Sequence, residues 1–249
     1  MRSVVARWPR LLLTALAIVA STSFLSGTFI FRDTIERTFD ALFAGVYERV
    51  DGYVQSSNSV ENLFGLERRD RLPAEILDEI RAVPGVADAQ AAVQGDAVVI
   101  AKDGTPIERP TAPTFGAAIN EGELSVWRLA EGRLPDGGND IVLDTLTAQD
   151  GGFALGDEVT VNADSGSRVF TLVGIVEYDD IISPGNATWA LFDGKTAEEF
   201  IAKPGFIDAV LVLGDGSVSA DQLVQRLADT LDPEVAEALT SAEITAQTQ

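Results

Sequence analysis

The 249 residues contain no cysteine and no histidine. There is therefore no disulfide framework, no thiol nucleophile, no zinc site of the usual nitrogen and sulfur kind, and no histidine-based triad or proton shuttle. A metal site could draw only on carboxylates and carbonyls, the ligand set of calcium and magnesium. Positive charge is scarce as well: 18 Lys and Arg stand against 39 Asp and Glu, a formal net charge of −21. That balance argues against a nucleic-acid partner, because phosphate binding depends on clustered Lys and Arg. Lysine is the rarer of the two bases, 3 against 15 arginines, and together with the abundant alanine this hints at a GC-rich bacterial genome. What is plentiful is apolar residues, 46% of the chain, enough for the core of one or two domains.

The charge is unevenly spread. Arg2, Arg7 and Arg10 are the only charges before position 32, so residues 32–249 hold 15 basic and all 39 acidic groups. Between Leu11 and Phe31 lie 21 residues without a charge. As a helix rising about 1.5 Å per residue, such a run spans about 30 Å, the thickness of a bilayer core. The sequence predicts a transmembrane helix over 11–31, and the preceding arginines place residues 1–10 in the cytoplasm and the rest outside. A cleaved signal peptide with its cut near Ala20 to Ser23 is the alternative. It leaves Phe24, Leu25, Phe29, Ile30 and Phe31 unexplained, since the segment should turn polar there.

Over residues 32–50, Ile35, Phe39, Leu42, Phe43, Val46 and Val50 recur at helical spacing. This predicts an amphipathic helix, either a stalk continuing the membrane helix or a helix packed on its own domain. Residues 51–109 read as a strand (Asp51 to Gln55), a loop or weak helix, a helix with Leu72, Ile76, Ile80 and Val83 on its buried stripe, and a hairpin bent at Gln94-Gly95-Asp96. Residues 110–185 are turn-rich and β-rich, with a hairpin across Asn162 to Ser167. Residues 186–232 return to strands and helices, the last helix opening at Ser219 with Gln222 in capping-box spacing. The expected fold class is α+β: a core of 51–109 and 186–232, interrupted by a β-rich insertion at 110–185 and followed by a tail at 233–249.

Residues with chemical potential are few. Glu177, Asp179 and Asp180 follow an apolar strand and could bind calcium or act as an acid and base, but acids are common in this chain and no EF-hand spacing surrounds them. The paired glycines at 137–138 and 151–152 read as turns, because no Gly-Lys-Ser/Thr follows. No Gly-x-Ser-x-Gly elbow or Ser-x-x-Lys occurs. The residues give no sign of an enzyme, a cofactor or a resident metal.

Three stretches carry a family likeness. RWPRLLLTALAIVASTSFLSGTFIFRDTIERTFDALF is similar to a first membrane helix with its stalk; EGRLPDGGNDIVLDTLTAQDGGFALGDEVTV supplies Gly132, Arg133, Asp144, Leu155, Gly156, Asp157 and Val159; RVFTLVGIVEYDD supplies Gly174. In these the chain resembles the FtsX/MacB-like family of ABC transporter permeases. The resemblance implies an extracytoplasmic core domain over about 32–232 in the bacterial plasma membrane. It also implies a homodimer or paired permease working with a separate cytoplasmic ABC ATPase, in export, lipoprotein release or mechanical signalling. Family members carry three more membrane helices after this domain, whereas no later apolar run here approaches 18 residues, so the chain reads as a fragment of such a permease. Two other readings stay open: a single-pass anchored binding or sensor domain acting without an ATPase, and an exported carboxylate hydrolase.

Overall fold

The computed structural model describes residues 18, 19, 21–24, 26, 27, 49–61, 67–110, 112–179 and 184–247. The chain forms two compact units, Met1–Leu42 and Phe43–Gln249. In the first, the described residues are helical, with the side chains of Ile18, Val19 and Phe24 exposed. Among the described residues no helix is long and apolar enough to cross a membrane. Most of the expected transmembrane helix at 11–31, and the expected amphipathic helix except residues 49 and 50, lie outside the described residues.

The second unit opens with β1 (Gly52–Ser56), then β2 (Ser59–Glu61) paired antiparallel with β3 (Glu67–Arg69), and β4 (Leu72–Pro73). The β2 and β3 pair occupies the stretch that the sequence reads as a loop or weak helix. Next comes α1 (Ile76–Arg81), whose Ile76 and Ile80 lie one turn apart and are buried together with Leu72 and Val83. Gly85, at φ 104, turns the chain into β5 (Val86–Ala92). After β6 (Gln94–Ile100), β7 (Thr114–Ala118) and β8 (Trp127–Gly132), β9 (Asp140–Asp144) feeds α2 (Thr145–Gly151), which Asp144 caps through Thr147 N. The hairpin expected across 162–167 forms between β10 (Glu158–Ala163) and β11 (Gly166–Tyr178). The chain then forms β12 (Thr188–Phe192), α3 (Gly194–Phe200), β13 (Phe206–Ile207) and β14 (Ala209–Gly214). It continues with α4 (Ala220–Thr230), opened by the capping box of Ser219 and Gln222, and ends in β15 (Ala236–Leu239) and α5 (Ser241–Gln247).

These elements make a mixed α+β fold built on two main sheets. The smaller has the order β15-β1-β14-β5 and is antiparallel throughout. One of its faces sends Val54, Ala89, Val210 and Val212 into the main core, which also holds Ile80 of α1 and Leu223 and Leu227 of α4. The larger sheet has the order β10-β6-β7-β12-β9-β11-β8, and β11 also pairs with β10. That second pairing closes six strands into a barrel around Val99, Ile141, Leu143, Val159, Val161, Phe170, Leu172 and Phe192.

Strand pairing differs from the sequence expectation in further places. The strands on either side of residue 93 do not form a hairpin: β5 pairs with β14, while β6 pairs with β7 and β10. Ala92 O accepts from Asp208 N in the small-sheet part and Val93 O accepts from Ala118 N in the barrel, so one residue carries the chain from sheet to sheet. The alternating apolar pattern simply runs on there, and Gln94-Gly95-Asp96 lies within β6 and makes no reversal. In addition, β6 and β12 stand in the larger sheet, although composition groups residues 94–109 and 186–192 with the α+β core. Within the expected tail, β15 pairs with β1 and completes the small sheet.

Candidate functional site

The eight motif residues lie on five different segments and gather along one strand, β11. Val159 pairs with Phe170 in the β10 ladder. Immediately before β10, Gly156, at φ 90, donates its N–H to Leu172 O at 2.8 Å, and Leu172 N donates to Asp157 O at 2.9 Å. One residue further along, Arg133 N donates to Val173 O at 2.9 Å, and Gly132 pairs with Gly174. On the opposite edge of β11, Asp144 of β9 pairs with Val176. Residues 172–174 are thus where β11 changes neighbours on one edge, from β10 to β8, and the motif residues build that seam.

The glycines are required by distance. A Cβ on Gly174 would stand 2.2 Å from Arg133 O, and one on Gly132 would stand 2.2 Å from Val173 O. No side chain fits where two backbones approach so closely, and Gly132 also needs its φ of 77. Leu155, 43% exposed, lines a cleft of about 570 Å³ with Phe153, Ile175, Ala130, Glu131 and Thr145.

Polar groups fix the seam. Arg133 Nη1 donates to Asp140 Oδ2 at 2.6 Å, and the same oxygen accepts from Asp136 N. The guanidinium holds the Asp140 carboxyl below the usual carboxylate range. Asp157 accepts from Lys102 Nζ at 2.5 Å and from Ala154 N at 2.7 Å, and both bonds draw its pKa down. Asp144 is fully buried. Desolvation pushes its pKa up, opposed by Thr147 and by Trp189 N, which donates to Oδ1 at 3.0 Å. Arg109 lends Asp144 a favourable charge and binds Asp150 at 2.8 Å and Ala187 O at 2.7 Å. Nothing in the local sequence pattern marks Arg109 or Lys102, because their partners are 41 or more residues away.

The acidic residues at the end of β11 are engaged by arginines. Glu177 takes Arg128, and Asp179 takes Arg49 at 2.7 Å. Asp180 lies outside the described residues. Among the described residues no group of three or more acids is placed to hold a metal ion. Burial pushes Tyr178, which packs edge-on to Trp127, up to about 12. A second cleft, about 650 Å³, lies between Arg69 to Arg71, Gln94 to Asp96 and Lys203 to Asp208, with Arg71 bound to Asp208 at 2.9 Å. Asp140, Asp144, Asp157 and Glu177 are all committed to cations or backbone N–H groups. The seam is thus a hydrogen-bonded and ion-paired junction between strands.

The sequence matches the MacB-like periplasmic core domain over residues 11–230. No curated protein matches the chain. Among solved structures, the periplasmic region of MacB from Actinobacillus actinomycetemcomitans superposes with a TM-score of 0.59 at 13% identity, covering 80% of this chain and 94% of that one. A domain described as that of a permease from Porphyromonas gingivalis superposes with a TM-score of 0.50 at 18% identity, covering 78% of this chain and 89% of that one. At these identities the likeness is one of fold. With the family match spanning most of its length, the chain belongs to the MacB-like periplasmic core domain family.

Proposed function

We propose that this chain is part of the membrane (permease) subunit of an ABC transporter and is not itself an enzyme. Residues 11–31 anchor it in the bacterial plasma membrane with residues 1–10 in the cytoplasm, and residues 32–50 form a stalk. The extracytoplasmic domain couples ATP hydrolysis by a separate cytoplasmic ATPase to export, lipoprotein release or mechanical signalling, in a homodimer or a paired permease. The observation that carries this reading is the reach of the family match: it begins at residue 11, where the charge-free run begins, and continues through α4. The membrane run and the folded domain thus fall within one family pattern. The engaged acids of the seam support a mechanical part, since force can cross strands that are tied by backbone ladders.

The test is made in native membranes. An affinity-tagged chain is expected to stay in the membrane after alkaline carbonate washing. It is also expected to co-purify with an ATPase bearing Gly-x-x-x-x-Gly-Lys-Ser/Thr, whose ATP turnover changes when the chain is removed. Membrane retention with no ATPase at any stoichiometry would favour the anchored sensor instead.

A further inference from the structure

Three consecutive residues just before β1 touch three different parts of the fold. Arg49 donates from Nη2 to Asp179 Oδ1 at 2.7 Å, at the far end of β11 in the barrel part. Val50 is buried in a cluster with Leu124 and Leu211. Asp51 accepts from Gly214 N at 2.8 Å and donates its own N–H to Val212 O at 3.0 Å, both at the end of β14. Leu124 belongs to residues 119–126, a strap that joins β7 to β8 and lies over the small sheet. Its Asn120 Nδ2 donates to Ala91 O, Glu121 N donates to Gln90 Oε1, and Gln90 Nε2 donates to Glu121 O.

These ties differ in strength. Asp51 extends the continuous β1 and β14 ladder, where backbone bonds hold register over Gly52 to Gln55. Among the described residues the Arg49 and Asp179 pair is a single ion pair, with side chains 38% and 48% exposed, so water and salt weaken it. Asp179 itself sits at φ 46, a left-handed conformation uncommon in residues other than glycine, though aspartate and asparagine adopt it more readily than most. What holds it is Arg49 on the carboxylate and Val126 O, which accepts from Asp179 N at 3.0 Å. The pair therefore pins the end of the strap as well as the end of β11.

We propose that residues 49–51 form a dividing joint: motion of the chain entering β1 is carried rigidly into the small sheet by Asp51, and reaches the barrel through the releasable Arg49 and Asp179 pair and the strap. The source of that motion rests on the membrane-stalk reading above, while the joint rests on these contacts alone. Release of the pair frees Asp179 and loosens residues 119–126, leaving the small sheet attached to the entering chain.

The test is hydrogen exchange on the full chain in detergent, comparing the parent with Arg49→Gln, Arg49→Lys and Asp179→Asn. Asparagine tolerates the left-handed conformation, so Asp179→Asn removes the charge and keeps the backbone. Exchange at residue 179 and across 119–126 is expected to rise roughly two- to fivefold in Arg49→Gln and in Asp179→Asn. It stays near the parent level in Arg49→Lys, and the amides of β1 and β14 do not change. Salt at about 1 M raises strap exchange in the parent by a similar factor and adds nothing in Arg49→Gln. An unchanged strap in Arg49→Gln, a salt response that persists there, or an equal rise in β1 and β14 would each overturn the joint. A chain that washes off the membrane while keeping this exchange pattern would overturn the membrane reading and leave the joint standing.

Discussion

The two sheets deal with their open edges in different ways. The small sheet stays open, with β15 and β5 at its margins, and buries one face under α1 and α4 and part of the other under Val50 and Leu124. The larger sheet closes, since the first half of β11 meets β10, which leaves β8 as an added strand on its second half. Closure removes exposed edges but demands that backbones meet at fixed distances, and the seam at residues 172–174 is where that demand falls. The small sheet is set mainly by how much apolar side chain its helices cover. An α+β layer thus tolerates adjustment in its packing, whereas a closed barrel concentrates its intolerance in a few backbone positions.

Substitutions at the two places should separate these modes. Gly174→Ala is expected to cost most, about 3–5 kcal/mol, because its Cβ would overlap Arg133 O and the strand ladder must part. Urea unfolding followed by tryptophan fluorescence reads this directly, since Trp127 and Trp189 stand on β8 and β12. A cost below about 1 kcal/mol would mean that the seam has slack. Leu227→Ala, at a fully buried position of α4, should cost about 3 kcal/mol. The core cluster runs without a break from α4 into the barrel, so this loss should move fluorescence and far-ultraviolet circular dichroism midpoints together. Separate midpoints would make the two parts independent folding units. Asp144→Ala, which orphans Trp189 N and uncaps α2, should cost about 2 kcal/mol. Ser219→Ala, which removes only a cap, should cost about 1 kcal/mol.

The smallest effect is on acid stability, and its sign differs within the seam. Asp140 has its folded pKa lowered by Arg133, so its contribution is present above the ordinary carboxylate range and is lost as pH falls through the folded value. Asp144 has its folded pKa raised by burial, so its ionised form costs stability at neutral pH, and that cost is relieved as pH falls below the raised value. Thermal melts from about pH 6 down to pH 3 should therefore show Asp140→Asn with a shallower acid loss than the parent. A parallel pair of curves would show that Arg133 and Asp140 contribute nothing to the pH dependence.

Much of the small-sheet part could be read from local pattern. The stripe of Leu72, Ile76, Ile80 and Val83, the Ser219 capping box and the apolar positions Leu223 and Leu227 all occupy the places that helical periodicity assigns. The hairpin of β10 and β11 was likewise legible, because its turn residues Asp164 to Gly166 interrupt two alternating runs. The β2 and β3 pair and the β15 strand escaped this reading: each has only three or four residues, too few to show a period.

The passage from β5 to β6 escaped for another reason. An extended chain that leaves one sheet for another has the same alternation as one that stays, and only the partners Asp208 and Ala118 tell the two apart. The motif residues were marked by the family resemblance, but their meeting on β11 was not legible, since Gly132 and Gly174 lie 42 positions apart and neither pattern nor charge joins them.

The sequence by itself determined the buried stripe of α1, the start of α4 at its Ser219 capping box, and that chemistry based on cysteine or histidine is excluded, because these depend on residue type and short-range spacing. Only the tertiary structure decided which strands are neighbours, that six of them close, and that Arg49, Arg109 and Lys102 find Asp179, Asp150 and Asp157. Such choices are made by long-range backbone pairing and by the burial of charge, which act on distance in space and leave no period along the chain.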